Sequence, residues 1–155
     1  MDEIRFTVSK IPENCRNKLI EHLKNSVQDY NPQLQINISV PEPFLWLTTR
    51  KGHFKLYFSK CRFIETDRRS LIFHCEGSIL RKNGKISSIL EKLPGHLFFR
   101  CNNSYIVNLS YIQQIIPDGD RYSILLRTGE KLPLSRSRYQ ECLRALKILN
   151  SSCPL

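Results

Sequence analysis

Apolar positions follow two rhythms along the chain. Leu34, Ile36, Ile38 and Val40 alternate strictly with Gln35, Asn37 and Ser39, which is the period of a half-buried strand. Ahead of them Cys15, Leu19, Leu23, Val27 and Tyr30 recur at steps of three or four and draw one apolar stripe down a helix. Pro12 suits the opening of that helix, where a missing N–H costs nothing, and Asn31-Pro32 closes it. Residues 4–8, IRFTV, supply a further short strand. Residues 1–43 therefore read as strand, helix, strand. The stiff Pro41-Glu42-Pro43 places a boundary at their end.

Beyond the boundary the strand rhythm dominates. Phe44 to Thr49 and Phe54 to Phe58 read as strands joined through Arg50-Lys51-Gly52, with Phe54, Leu56 and Phe58 on one face. Trp46 sits among leucines in its strand, so it is expected in the core. Phe63-Ile64 and Leu71-Ile72-Phe73 flank a polar loop from Glu65 to Ser70. Ile86, Ile89, Leu90 and Leu93 make a two-turn amphipathic helix, with Ser87 or Ser88 as its cap and Pro94-Gly95 as its stop. From Leu97 to Asn108 strand gives way to a polar cluster, Cys101 to Ser104, and then to strand again. Turn residues at Asp118-Gly119-Asp120 and Arg127 to Glu130 separate short strands at Tyr122–Leu126 and Lys131–Leu134. Ser137 and Gln140 fit a capping box for a last helix that buries Tyr139, Leu143, Leu146 and Ile148 or Leu149. The fold class expected is mainly β with short helices, over residues 44–150, followed by a tail at 151–155.

Charge changes the picture more than composition does. A chain of 155 residues with 41% hydrophobic content is an ordinary length for one domain or one and a half. Its formal net charge is +10. Residues 1–43 hold 5 Lys+Arg against 6 Asp+Glu, and residues 44–155 hold 19 against 8. All the excess positive charge thus lies beyond Pro43, where it favours a polyanionic partner over a merely solvated basic face.

Six cysteines, at 15, 61, 75, 101, 142 and 153, show no Cys-x-x-Cys spacing. No leader pattern and no long apolar run is read, so a reduced, cytoplasmic setting without membrane insertion is expected, with most thiols serving as small core residues. The four histidines are scattered without metal-ligand or metalloprotease spacing, and no convergent acid–base set is visible. An enzyme is therefore not expected, nor is a cofactor; zinc held by Cys61, His74 and Cys75 is the weak exception.

The run FFRCNNSYIVNLSYIQQI, followed by a hairpin and LPLSRSRY, resembles the C-terminal half of the LytTR DNA-binding domain of bacterial transcription regulators. The family pattern of an apolar or aromatic pair, Arg, Ser, an apolar pair, Val-Asn, Ile and a later Ser-Arg is matched by Phe99, Arg100, Ser104, Tyr105, Ile106, Val107, Asn108, Ile112, Ser135 and Arg136. CRFIETDRRSLIFHCEG (61–77) resembles its first strands and SSILEKL (87–93) its short helix, so the likeness covers roughly 44–150. It does not reach the first forty residues. These are too few for the phospho-receiver that usually accompanies such a response-regulator output domain.

The resemblance implies an elongated β domain of small, mostly antiparallel sheets that sends loops into successive major grooves, often at repeated sites, to control transcription. It implies backbone contacts from Arg100, Ser104 and one of Arg136 and Arg138, base reading from Asn102 or Asn103, and contact from the Arg68-Arg69 loop. A plain turn explains the asparagines equally, and a solvated turn the arginines. Ser104, Val107 and Asn108 also fit a structural role. Positive charge at the start of the last helix points to a docked anion unless a carboxylate offsets it. Cys101, next to Arg100, is a candidate redox-sensitive thiol, against the plainer reading of an inert strand-end residue.

The partners expected are double-stranded DNA, a second copy of the chain through residues 1–43 or on DNA, and a small membrane protein that sequesters the regulator. The rival class is a basic RNA-binding or protein-interaction module. Against an RNA reader stands the lack of a recognisable aromatic motif on a solvent-facing sheet.

Overall fold

The computed structural model describes residues 3–7, 11, 13–39 and 41–151. They fall into two compact units, the larger spanning Pro43–Leu149.

In the smaller unit β1 (Glu3–Thr7) and β2 (Gln35–Ser39) pair in parallel, with Ile4 opposite Ile36 and Phe6 opposite Ile38. Parallel neighbours need a long crossover, and the helix α1 (Glu13–Tyr30) provides it. Cys15 is buried and Leu19, Leu23 and Val27 are half-buried, but Tyr30 is 89% exposed. The expected stripe therefore stops one turn early. At about 1.5 Å per residue the helix outruns five-residue strands rising about 3.3 Å each, leaving its last turn nothing to cover. The positions assigned to Pro12, Val8, Val40 and Cys153 lie outside the described residues.

The larger unit is built of small antiparallel sheets. β3 (Phe44–Thr49) and β4 (Gly52–Tyr57) form a hairpin. A 3-10 turn at Phe58–Lys60 leads into β5 (Cys61–Asp67), β6 (Ser70–Cys75) and β7 (Ser78–Asn83). The short helix α2 (Ile86–Leu90) precedes β8 (Phe98–Arg100) and β9 (Tyr105–Asn108), and the five strands make one sheet in the order β7-β6-β5-β9-β8. After a second 3-10 turn, β10 (Ile112–Asp118), β11 (Arg121–Leu126) and β12 (Lys131–Leu134) form a three-stranded meander. A third 3-10 turn, Arg136–Arg138, leads into α3 (Tyr139–Ser151).

The strands β5, β9 and β8 of the five-stranded sheet are buried on both faces. Phe63, Val107 and Phe99 lie opposite one another across β5, β9 and β8 and join one core with Tyr111, Leu126 and Leu132. Their sequence neighbours Ile64, Ile106 and Phe98 join a second core with Leu47, Phe73 and Ile89. A strand covered on both sides has no polar phase, which is why FFR and YIV read as continuous apolar runs.

Asn108 closes the sheet end. It is fully buried, and its amide donates to the carbonyls of Phe58 (3.0 Å) and Cys61 (2.8 Å) while its Oδ1 accepts from Ser110 N (3.0 Å) and Oγ (2.7 Å).

Four local expectations change. Trp46 is 58% exposed: β3 turns Leu45 and Leu47 inward and Phe44 and Trp46 outward, so the tryptophan faces Lys55 across the hairpin. The polar loop at 65–70 shrinks to Arg68-Arg69, because Glu65, Thr66 and Asp67 continue β5. Lys85, not a serine, occupies the N-cap of α2. The 3-10 turn displaces the start of α3 to Tyr139, so Ser137 does not cap it.

Candidate nucleic-acid interface

Three connections meet at one end of the larger unit: the β5–β6 turn, the β8–β9 loop and the segment between β12 and α3. The β8–β9 loop holds the other two. Ser104 O accepts from Thr66 N (2.9 Å) near the β5–β6 turn. On the other side Cys101 O accepts from Ser135 N (2.9 Å), and the Asn102 amide donates to Pro133 O (2.7 Å).

Within this loop the polar residues divide into braces and an exposed tip. Asn102 Oδ1 accepts from the backbone N–H of Ser104 (2.7 Å) and Tyr105 (3.0 Å), an Asx-type turn. With its NH2 on Pro133, that amide is committed to the protein. Arg100 is committed too: Nε donates to Asn102 O (3.2 Å) and an Nη to Asn103 O (3.1 Å). Asn103 is exposed at the tip and carries no described hydrogen bond through its side chain. Of the two asparagines expected to read bases, only Asn103 presents a free amide, and Arg100 acts on the loop's own carbonyls.

Arg68 and Arg69 form the β5–β6 turn and both are exposed. Arg68 has a φ of 56°, the one described non-glycine in the left-handed region. Arg69 O accepts from Gly84 N (3.1 Å), and Asp67 in the adjoining strand pairs with Arg81 at 3.1 Å. Arg136 is exposed and Arg138 half-buried, and Arg138 N bonds back to Ser135 O at 2.9 Å. Glu141 stands in the first turn of α3. That carboxylate offsets the arginines at the helix start, so the expected helix-dipole argument for a docked anion loses its force there.

A shallow depression of about 520 Å³ is lined by Tyr105 and Tyr122 together with Asn103, Ser104, Arg121 and Arg136, and Asp120 adds one carboxylate to it. Arg121 is a member the sequence did not disclose. It follows the β10–β11 turn and reaches this edge only because the meander folds back. No sequence signal separates it from any other turn arginine. Among the described residues, Arg68, Arg69, Arg121 and Arg136 pair with no carboxylate, whereas Arg62, Arg81 and Lys131 are matched to Glu130, Asp67 and Asp118.

Cys101 does not have the surroundings of a reactive thiol. It is completely buried, and its Sγ donates to Tyr105 O at 3.5 Å. Burial pushes its pKa up to about 12 and that of Cys142 up to about 11. Arg100, expected to stabilise a thiolate, is turned to the loop carbonyls instead. Cys61, Cys75 and Cys142 are likewise buried thiols outside any disulfide, and Cys15 is buried. No group of His, Cys, Asp or Glu among the described residues is arranged to hold a metal ion, and none of their helices is long and apolar enough to cross a membrane.

One end of this two-faced β module thus gathers three connections and several exposed arginines that have no carboxylate partner among the described residues. The LytTr DNA-binding domain family matches residues 51–147. The chain belongs to this family, a family of DNA-binding regulators. The sensory transduction protein LytT of Enterococcus faecalis is 32% identical over 79 residues, covering 50% of this chain and 33% of that protein. LytT of Bacillus subtilis is 36% identical over 61 residues, covering 39% and 25%. The chain thus spans a third or less of these relatives. A solved LytTr DNA-binding domain from a Bacillus cereus response regulator superposes with a TM-score of 0.60 at 25% identity, over 68% of this chain and 98% of that one.

Proposed function

We propose that the protein is a sequence-specific regulator of transcription that binds double-stranded DNA in the major groove through the three joined connections. Asn103 reads a base edge, most naturally adenine, which an amide meets with two hydrogen bonds. Arg136 and the Arg68-Arg69 turn reach phosphates or guanine, with Ser104 and Arg121 beside them. Asn102 and Arg100 hold the reading loop in shape, and Arg138 steadies the segment behind it. The observation that carries this reading is the division of labour in one loop: one amide wholly spent on the protein, its neighbour offered to solvent between exposed arginines.

The protein works in the cytoplasm and binds repeated promoter sites as a homodimer. Residues 1–43 act as the dimerising or regulatory segment and 44–150 as the DNA-binding domain. Sequestration by a small membrane protein would be one route of control.

Fluorescence anisotropy tests the central claim, with a duplex from upstream of the protein's own gene and a scrambled duplex at about 150 mM salt. Specific readers favour their site by roughly 10³-fold or more. Erosion of that ratio by Asn103→Ala supports base reading. Equal binding of both duplexes, weakening together as salt rises, refutes it for that DNA.

One observation favours a second reading. Phe44, Trp46 and Tyr57 share the outer face of the β3–β4 hairpin, Phe44 meeting Trp46 edge-on at 5.8 Å. It is a solvent-facing aromatic surface that the sequence had not disclosed, of the kind on which single-stranded RNA readers stack bases. Tighter binding of a single-stranded RNA than of a duplex of equal length would establish it.

A further inference from the structure

A second concavity adjoins the β5–β6 turn, sharing Ser70 and Arg81 with the surface beside Arg68-Arg69. Strand β3 packs beside β7, the edge of the five-stranded sheet, and a cleft of about 580 Å³ opens between them. Its apolar wall is Phe54, Leu80 and Ile79. Ile79 is 65% exposed, a large apolar side chain left to solvent beside a concave surface. The rim is cationic on both sides: Arg50 and Lys51 from the β3–β4 turn, Arg81 and Lys82 from β7. Arg81 is matched to Asp67 at 3.1 Å. No Asp or Glu lines the cleft, and among the described residues Arg50, Lys51 and Lys82 pair with no carboxylate.

We propose that this cleft binds a small amphipathic anion, an aromatic or aliphatic body bearing a carboxylate, sulfonate or phosphate. Each half of the site selects for that chemistry. The volume falls within the range of small-molecule sites, which are mostly apolar with a few convergent polar groups. Covering Ile79 and Phe54 removes apolar surface from water, while uncompensated cations on facing rims attract an acidic group from either side. A sugar–phosphate backbone would satisfy the rim but has nothing to lay against Ile79. A neutral apolar molecule would fill the wall and leave the charges unanswered. The proposal names none of the residues assigned to DNA reading, although the cleft borders the Arg68-Arg69 turn.

The test uses the full chain and two naphthalene probes, the anionic 1-anilinonaphthalene-8-sulfonate and the uncharged N-phenyl-1-naphthylamine. A ligand of roughly twenty heavy atoms at ordinary efficiency binds at about 10–100 µM. The expected result is saturable one-to-one binding of the sulfonate in that range, at least fivefold weaker binding of the neutral probe, and a tenfold or greater loss in Ile79→Asp. Ile79 is exposed, so that variant should keep the native circular dichroism. An Arg50→Glu/Lys51→Glu variant should weaken the sulfonate and leave the neutral probe unchanged. Equal affinity for the two probes, or no effect of Ile79→Asp, overturns the proposal. So does a charge-reversed variant that loses duplex DNA but keeps the sulfonate, because the rim would then belong to the DNA backbone.

Discussion

Replacing each of the two adjacent asparagines by alanine should have opposite consequences. Asn102→Ala removes three hydrogen bonds, at 2.7 Å to Pro133 O, 2.7 Å from Ser104 N and 3.0 Å from Tyr105 N. A net hydrogen bond contributes about 1 kcal/mol, but water can replace part of the loss at this half-buried position. The change should therefore cost about 1.5–2.5 kcal/mol, read as a lower urea midpoint at constant m-value. Asn103→Ala removes an exposed amide with no described side-chain bond, so stability should shift by no more than about 0.5 kcal/mol. In DNA binding, Asn103→Ala should lose about 1–3 kcal/mol of base discrimination. Asn102→Ala should weaken every duplex by a similar factor, because a loosened loop is paid for whatever the sequence. Destabilisation by Asn103→Ala, or an unchanged midpoint in Asn102→Ala, would contradict these roles.

Other outcomes follow from the same geometry. Asn108→Ala strands two buried carbonyls and the Ser110 donors, and should destabilise by about 2–4 kcal/mol in urea titration. Arg68→Gly relieves a left-handed backbone and should raise stability by up to about 1 kcal/mol, while lowering DNA affinity and flattening the salt slope by about one phosphate contact; a destabilised variant would contradict the assignment of strain. For Cys101 and Cys142, burial sets folded pKa values of about 12 and about 11, above the ordinary 9.0. A raised folded pKa means stability is intact below pH 9 and is lost as pH rises toward 11, when the unfolded thiols ionise first; a urea midpoint that stays level from pH 8 to 11 would refute this. For the same reason Cys101 should resist thiol reagents in the native state and react at the rate of unfolding.

Much of the local structure around the candidate interface was legible because its chemistry is local. The polar break at Cys101 to Ser104 stands out between apolar runs, and the Val-Asn pair after it marks a strand end that Asn108 locks. What escaped depended on which way a side chain turns. Asn102 and Asn103 are the same residue type side by side, and only the loop's curvature decides which one braces and which one is offered. Arg100 carries a charge suited to phosphate, yet two carbonyls three ångströms away claim it first. Trp46 escaped because FLWLTT is apolar in both strand phases, so its own pattern does not choose an inward face. The opposite strand does choose: Lys55 stands across from Trp46 and Leu56 across from Leu45. Arg121 was beyond reach for another reason, since its proximity to Arg136 is a product of the folded meander.

The placement of Trp46 also decides what light can report. It is the chain's one tryptophan, and it stands at the surface with Lys55 Nζ 5.5 Å from its ring centre. Its emission in the native state should already resemble that of indole in water and should be open to collisional quenchers. Unfolding of the two cores should change that signal less than it would for a buried tryptophan, so backbone dichroism is the better readout of denaturation. Tryptophan quenching is then free to serve as a specific sensor for whatever settles on the outer face of the β3–β4 hairpin.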